Sequence, residues 1–341
     1  MSILQHNSNI NSITSEQFAK IFNDIFNNQY TKTQVSDFLL NLNLADLPVN
    51  AISGAVNSLQ KQAIKLEINQ HLASQIIDIC GTGGDKLNTL NISTAVAFVL
   101  AGAGIKVAKH GNKAISSQSG SADIFSQLKL SFITSAKIIE EMLFEANLCF
   151  IYAPYFHPIL AQIADVRAKI AQPTIFNFLG PLLNPLKPPY QLIGVSKHSI
   201  ANKMLQVIAN NQHHQAVSIV SGHNGLDEIS TTCPSFLWQY QKPNILPCQT
   251  IHPQKLGFDL IDISKIQGKD SAYNASALLQ LLAGEASAYR DIVILNAIYA
   301  LQIIKPKLNF QEAKEIITES LDSKKAQSIL QKLQNLSLLF K

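Results

Sequence analysis

The chain has 341 residues, 47% of them hydrophobic and only 15% charged, with a formal net charge of +4, so it holds either one large α/β domain or two unequal ones around a substantial core. The basic residues are spread without a polybasic run, which leaves little footprint for nucleic acid and fits an anionic small-molecule substrate. Residues 1–15 lack an apolar secretory core, the longest clean apolar run (residues 95–105) is too short to cross a bilayer, and Cys80, Cys149, Cys233 and Cys248 show neither metal nor CxxC spacing, so a cytoplasmic protein with no membrane partner is expected.

About the first 70 residues read as helical by their periodicity. Thr14 and Gln17 stand at capping-box spacing, and Phe18, Ile21, Phe22, Ile25 and Phe26 form one apolar face. A second helix is expected from about Gln34, with Val35, Phe38 and Leu39 on its face, and a third over residues 49–66. No strand candidate appears before Ile76. From there, short apolar runs at 76–80, 105–108, 148–152 and 216–220 alternate with helical stretches such as 93–103 and 134–147. That alternation predicts an α/β fold with a mostly parallel central sheet. Residues 166–189 are proline-rich and read as a crossing between domains, and amphipathic helices near 311–321 and 324–336 close the chain.

In such sheets ligands sit beyond the carboxyl ends of the strands, and three polar segments follow strand candidates. Gly81-Thr82-Gly83-Gly84-Asp85 runs into Asn91-Ile92-Ser93-Thr94 and a helix. Its glycines let the backbone approach a ligand, and the helix N-terminus favours an anion there, so the segment reads as a phosphate or pyrophosphate cradle. Lys109-His110-Gly111-Asn112 offers an ammonium and an amide to a phosphate and a sugar hydroxyl. Ser116-Ser117-Gln118-Ser119-Gly120-Ser121 is either a second anion cradle or a loop that only caps the next helix. Asp227-Glu228 is a candidate Mg²⁺ site, with Ser93 as a further oxygen ligand; alone, such a pair is more often a solvated turn. Arg167 would grip a carboxylate if it lies beside a pocket, and is otherwise a surface residue. His110 and His157 have no triad partners at a recognisable spacing.

These blocks in this order, GTGGD, NIST, KHGN, SSQSGSAD, YAPYFHP, Arg167, TIFNFLGPLLNP and GLDE, resemble the anthranilate phosphoribosyltransferase family. The resemblance is dense over residues 76–230 and recurs at Ala283-Gly284-Glu285 and near Arg290. It implies a small N-terminal helical domain (1–75, completed by about 157–189) joined to a larger α/β domain (76–156 and 190–341), with the active site in the cleft between them. It also implies a homodimer associating through the helical domain, with which the apolar N-terminal faces are compatible.

The resemblance further implies transfer of the phosphoribosyl group of phosphoribosyl pyrophosphate to anthranilate, with Mg²⁺ as cofactor. On the matching positions, Gly81, Gly84, Asp85, Thr89, Asn91, Ile92, Ser93 and Thr94 would hold the pyrophosphate and ribose. Lys109, His110, Gly111, Asn112, Lys113, Ala114, Ile115, Ser116 and Ser117, with Ser121, would hold the 5-phosphate and the remaining diphosphate contacts. Ser93, Asp227 and Glu228 match the metal positions. Gly81, Asn112 and Arg167 match the anthranilate positions, and His110 and His157 line that channel, with His110 a candidate for a general base. Lys113 and Pro173 stand where the family usually has Arg, and the acidic-apolar run after Ala122-Asp123 loses a Glu. The alternatives are a pyrimidine nucleoside phosphorylase-like enzyme and a nucleic-acid-binding paralogue of the same fold; the Arg167 context argues against the first and the thin basic footprint against the second.

Overall fold

Capping chemistry starts the first two helices. Helix α1 (Ser15–Phe26) begins where the Thr14 hydroxyl accepts from Gln17 N at 3.3 Å and the Gln17 side chain accepts from Thr14 N at 2.8 Å, a reciprocal box that satisfies two otherwise orphaned donors. Thr31 and Gln34 repeat the device for α2 (Lys32–Asn41). Helix α3 (Val49–Gln62) ends four residues short of Leu66, because Ala63 already has extended dihedrals; a short α4 (Gln70–Ala73) leads to the sheet. The computed structural model describes residues 10–42, 44, 46–114, 118–132, 134–170, 172–211 and 213–339.

The apolar face of α1 is spent inside the chain. All five of its large residues are buried, and Phe22 meets Phe38 and Phe176 edge-on at 5.8 and 5.9 Å. The expectation that this face is compatible with a dimer contact is therefore corrected, since its area is already removed from water within one chain.

Among the described residues, seven strands form one sheet: β1 (Ile77–Gly81), β2 (Val107–Gly111), β3 (Leu148–Tyr152), β4 (Tyr190–Gly194), β5 (Ala216–Gly222), β6 (Ser235–Gln241) and β7 (Asn244–Ile251), in the order β3-β2-β1-β4-β5-β6-β7. The first five are mutually parallel and the last two antiparallel, as expected of a mostly parallel sheet. Between the strands lie α5 (Ile92–Gly102), α6 (Ser121–Gln127), α7 (Ala136–Glu145), α8 (Ala153–Phe156), α9 (Ala164–Lys169), α10 (Phe176–Leu179) and α11 (His198–Asn210); α12 (Ser271–Leu282), α13 (Ala288–Ile304), α14 (Phe310–Asp322) and α15 (Lys325–Leu339) follow the sheet. Helix α5 is buried almost all round, packed against α13, α14 and α15 as well as the sheet, which explains why it is apolar on every side.

Period-2 alternation divides β4 and β5 between two cores. Leu192 and Val220 join the cluster built on α5 and α13, whereas Ile193, Val217 and Ile219 join a second cluster with α1, α3, α11 and the 163–183 segment. Strand β2 starts two residues later than expected and includes Lys109, His110 and Gly111, because Gly104 at φ +83° turns the chain and delays pairing until Val107 meets Leu148.

The chain lays down β1, β2 and β3 in one direction and then crosses back to place β4 and β5 on the other side of β1. The loops after β1 and β4 therefore diverge at a topological switch point, the position where open α/β sheets bind ligands. The helical part depends on a close crossing at Gly54, where a Cβ would press on Phe18 and lie 2.7 Å from Ser15 O and 2.8 Å from Ala19 N. Gly54→Ala is therefore expected to cost about 1–3 kcal/mol through overpacking, read as a lower denaturation midpoint in urea.

Candidate active site

The glycine loop is fixed from three sides. Thr82 N donates to Gly194 O at 2.9 Å, Gly83 N donates to Asp227 Oδ2 at 2.7 Å, and Ser196 Oγ donates to Gly83 O at 2.9 Å. Gly83 and Gly84 lie at φ +66° and +78°, left-handed backbone that side chains disfavour. Gly81 and Gly194 serve a different purpose. A Cβ on Gly81 would strike the Asp227 carboxylate, and one on Gly194 would strike the Asp227 main-chain carbonyl. Here the missing side chains admit Asp227 between the ends of β1 and β4.

Around Asp227 stands a concentrated set of buried charges. Glu228 Oε1 accepts from Ser93 N, in the first turn of α5, at 3.1 Å. Lys109 is 2% exposed, and its ammonium donates to Ile79 O at 2.7 Å and Ser93 Oγ at 3.0 Å. Burial and the neighbouring Asp85 charge push the Asp227 carboxyl up to about 7; burial and Asp227 push Glu228 well up; and burial raises Asp85. Burial lowers Lys109, against the pull of Asp78 and the other acidic groups. Among the described residues no group of three or more His, Cys, Asp or Glu side chains is placed to hold a metal unaided.

On the other side of β2, four consecutive carbonyls of the crossing segment each accept a hydrogen bond from a different side chain. His110 Nδ1 lies 3.1 Å from Gly180 O, Gln191 Nε2 2.9 Å from Pro181 O, Gln60 Nε2 3.0 Å from Leu182 O and His157 Nε2 2.7 Å from Leu183 O. Asn184 then donates to Asp78 Oδ2 and to Ala108 O, both at 3.0 Å. A carbonyl only accepts, so these contacts place the protons on His110 Nδ1 and His157 Nε2. Burial and the facing His157 hold His110 down at about 3, and burial also lowers His157, so both rings are neutral at physiological pH. Their rings meet edge-on at 5.9 Å. His110 Nε2 and His157 Nδ1 are buried without a hydrogen-bond partner.

Arg167, in α9, is half-buried and stacks over Phe176 at 5.5 Å. It makes no ion pair among the described residues. Asn91 is committed within the protein: its side chain accepts from Asn274 at 2.9 Å and donates to Ser119 O at 3.1 Å, and its carbonyl accepts from Tyr289 at 2.9 Å. Asp123 closes the neighbouring loop by accepting from Ala114 N and Gly120 N, each at 2.9 Å.

The glycine loop, Ser93, Lys109, His110, His157, Arg167, Asp227 and Glu228 open on one cleft of about 420 Å³, a size suited to a small molecule. Every candidate site residue among the described residues lines it, including Gly84, Thr89, Ile92, Thr94, Asn112, Lys113 and Ser121; Ile115, Ser116 and Ser117 lie outside the described residues. The walls also carry Leu160, Phe176, Phe178, Leu179 and Pro181, with Ser196 and Lys197, which the sequence reading missed. The first group lies in the crossing segment. The other two follow β4, a five-residue strand hidden behind Pro188-Pro189.

Residues 73–327 match the model of the glycosyl transferase family, a/b domain. The chain is 34% identical over 331 residues to the anthranilate phosphoribosyltransferase of Dehalococcoides mccartyi, covering 96% of each, and 37% identical over 314 residues to that of Desulfitobacterium hafniense, covering 92% of each. The chain belongs to the anthranilate phosphoribosyltransferase family. Solved members superpose over nearly the whole chain. The Saccharomyces cerevisiae enzyme in complex with PRPP and Mg gives a TM-score of 0.87 at 26% identity over 96% of this chain and 94% of that one; the Thermus thermophilus enzyme gives 0.85 at 26% identity over 95% of each.

The raised Asp227 carboxyl has a consequence for the metal-free protein. The folded state binds this proton more tightly than the unfolded state does, so the associated stability is present below about pH 4 and is lost as pH rises through about 7. Asp227→Asn cannot ionise. In EDTA its Tm is expected to fall less than that of the parent between pH 5 and 7.5; parallel profiles would contradict the assignment.

Proposed function

We infer that the chain transfers the phosphoribosyl group of phosphoribosyl pyrophosphate to the amino group of anthranilate, giving N-(5-phosphoribosyl)anthranilate and pyrophosphate, the second step of tryptophan biosynthesis from chorismate. The observation that carries this is a cleft at the β1/β4 switch point that gathers the glycine loop, the start of α5, the end of β2, Asp227-Glu228 and Arg167.

The chemistry asks for two differently built ends. As the C1–O bond to pyrophosphate breaks and the C1–N bond forms, C1 gains cationic character and the leaving oxygens gain charge. Gly81, Gly84, Asp85, Thr89 and the turn 91–94 stand on the pyrophosphate side in our assignment, and Lys109–Ala114 with Ser121 on the phosphate side. Ser93, Asp227 and Glu228 would hold Mg²⁺. The donors are all oxygen, and the upward push on Asp85, Asp227 and Glu228 is what a divalent cation would reverse, so the residues fit that ion. When bound, Mg²⁺ supplies positive charge to the departing diphosphate. Because the protein set is incomplete alone, substrate oxygens and water would finish the shell.

At the other end, Arg167 is a free fork beside an aromatic wall, suited to the carboxylate of a flat aromatic acid. Gly81 and Asn112 complete that assignment, with the neutral His110 and His157 lining the channel. An aryl amine is already nucleophilic, so holding it against C1 does much of the work.

We further propose a division into a helical domain of residues 1–75 completed by about 157–189 and an α/β domain of residues 76–156 and 190–341, with a cytoplasmic homodimer. The family resemblance supports the dimer; the buried α1 face does not contribute to it. No helix among the described residues is long and apolar enough to cross a membrane.

The test is turnover: loss of anthranilate fluorescence on adding phosphoribosyl pyrophosphate and Mg²⁺. No turnover by folded protein overturns the inference. Arg167→Ala is expected to raise the KM for anthranilate by roughly 10- to 100-fold, the worth of a charged hydrogen bond, with the KM for phosphoribosyl pyrophosphate nearly unchanged; an equal rise in both would contradict the carboxylate role.

A further inference from the structure

A crevice at a switch point has two lips, one after each of the diverging strands. The lip after β1 is the glycine loop. The lip after β4 is Val195-Ser196-Lys197, which carries no assigned role, yet Ser196 and Lys197 both line the cleft. Ser196 stands between the glycine and acidic loops. Its hydroxyl holds Gly83 O at 2.9 Å, its N–H points at Thr82 Oγ1 at 3.3 Å, and its own carbonyl would lie 3.6 Å from a Cβ placed on Gly225.

The positive charges of the cleft favour this lip. The cations along its walls are Lys109, Lys113, Arg167 and Lys197. Lys109 is buried, with donors committed to Ile79 O and Ser93 Oγ. Arg167 stacks on Phe176 at the crossing-segment end. Lys113 follows β2, on the opposite side of β1 from β4. That leaves Lys197, exposed and without an ion pair among the described residues, as the cation beside the glycine loop on the β4 side. A cradle of backbone N–H groups flanked by Asp85, Asp227 and Glu228 repels a polyanion unless mobile or fixed positive charge offsets them.

We propose that the turn after β4 is the second lip of the diphosphate site: Lys197 binds the diphosphate of phosphoribosyl pyrophosphate and holds the pyrophosphate product, and Ser196 is a positioning residue that keeps the glycine loop in its binding shape. The proposal rests on the functional reading above. It makes Lys197 a contact for the leaving group and predicts no effect at the anthranilate end.

Calorimetric titration of the full chain with Mg²⁺-pyrophosphate and with Mg²⁺-phosphoribosyl pyrophosphate tests it. Lys197→Ala is expected to weaken both by about tenfold, as loss of one charge-assisted contact does, and to leave the KM for anthranilate unchanged. Lys197→Arg should retain most of the affinity, and Lys255→Ala, an equal change of net charge outside the cleft, should bind like the parent. Ser196→Ala should weaken pyrophosphate about threefold at unchanged Tm, with Ser196→Thr restoring it. Parent-like pyrophosphate binding by Lys197→Ala, or an equal loss in Lys255→Ala, overturns the lip alone. Failure of the parent protein to bind either ligand overturns the functional reading and this proposal together.

Discussion

Asp227 occupies the space that the absent side chains of Gly81 and Gly194 leave open, and the arrangement of the site follows from that wedge. Gly81 and Gly194 face each other in register across β1 and β4. A side chain on either would drive the acidic loop away from the sheet. With Asp227 in place, its Oδ2 accepts from Gly83 N and so shapes the glycine loop, and the following residue brings Glu228 onto the first turn of α5. One close approach thus registers three loops from three adjacent strands, and does so with hydrogen bonds that would not survive a shift of an ångström.

The same crowding sets the electrostatics. Acidic groups held this near one another and partly out of water cannot all ionise without a partner. Lys109 supplies one fixed positive charge from inside, locked by Ile79 O and Ser93 Oγ. Burial first, and repulsion from the neighbouring carboxylates second, still push Asp227 and Glu228 up, with Lys109 pulling Glu228 the other way. The residual negative field is directional: it sits at the strand ends, under the cleft, where a cation and a polyanion arriving together are favoured over a polyanion alone.

Much of this was legible from composition and order. Thr14/Gln17 spacing located α1, and the apolar runs near 76–80, 148–152 and 216–220 located β1, β3 and β5. What stayed hidden has physical causes. Strand β4 is five residues long, follows two prolines, and takes its identity from pairing on both sides with β1 and β5, information that no local pattern holds. Missing β4 meant missing Ser196 and Lys197. The β6–β7 hairpin was missed too, although Trp238 and Tyr240 alternate inward. The glycines were readable as close approach, but the partner at Gly81 and Gly194 is a side chain and a carbonyl from more than thirty residues away. That a polar residue such as Asn91 is consumed by Asn274, Ser119 and Tyr289 is likewise a tertiary fact.

The crossing segment shows how one strand connects the two ends of the cleft. Neighbouring residues on a strand point to opposite faces. On β2, Lys109 therefore reaches toward α5 and Ser93, while His110 reaches the other way to Gly180 O. The His110 N–H between them donates to Asp78 Oδ1, whose other oxygen accepts from Asn184, the residue that ends the run of capped carbonyls. Residues 180–184 are consequently held by side chains from α3, β2, β4 and the start of the 158–163 turn, and not by a ladder of their own. Such a segment is fixed in place while packed into the second core cluster, and its buried Pro181 and Leu183 also form part of the wall of the cleft. The tautomers of His110 and His157 follow from the same requirement: each ring spends its proton on a carbonyl of the crossing segment, so the imidazoles hold that wall in place as neutral groups.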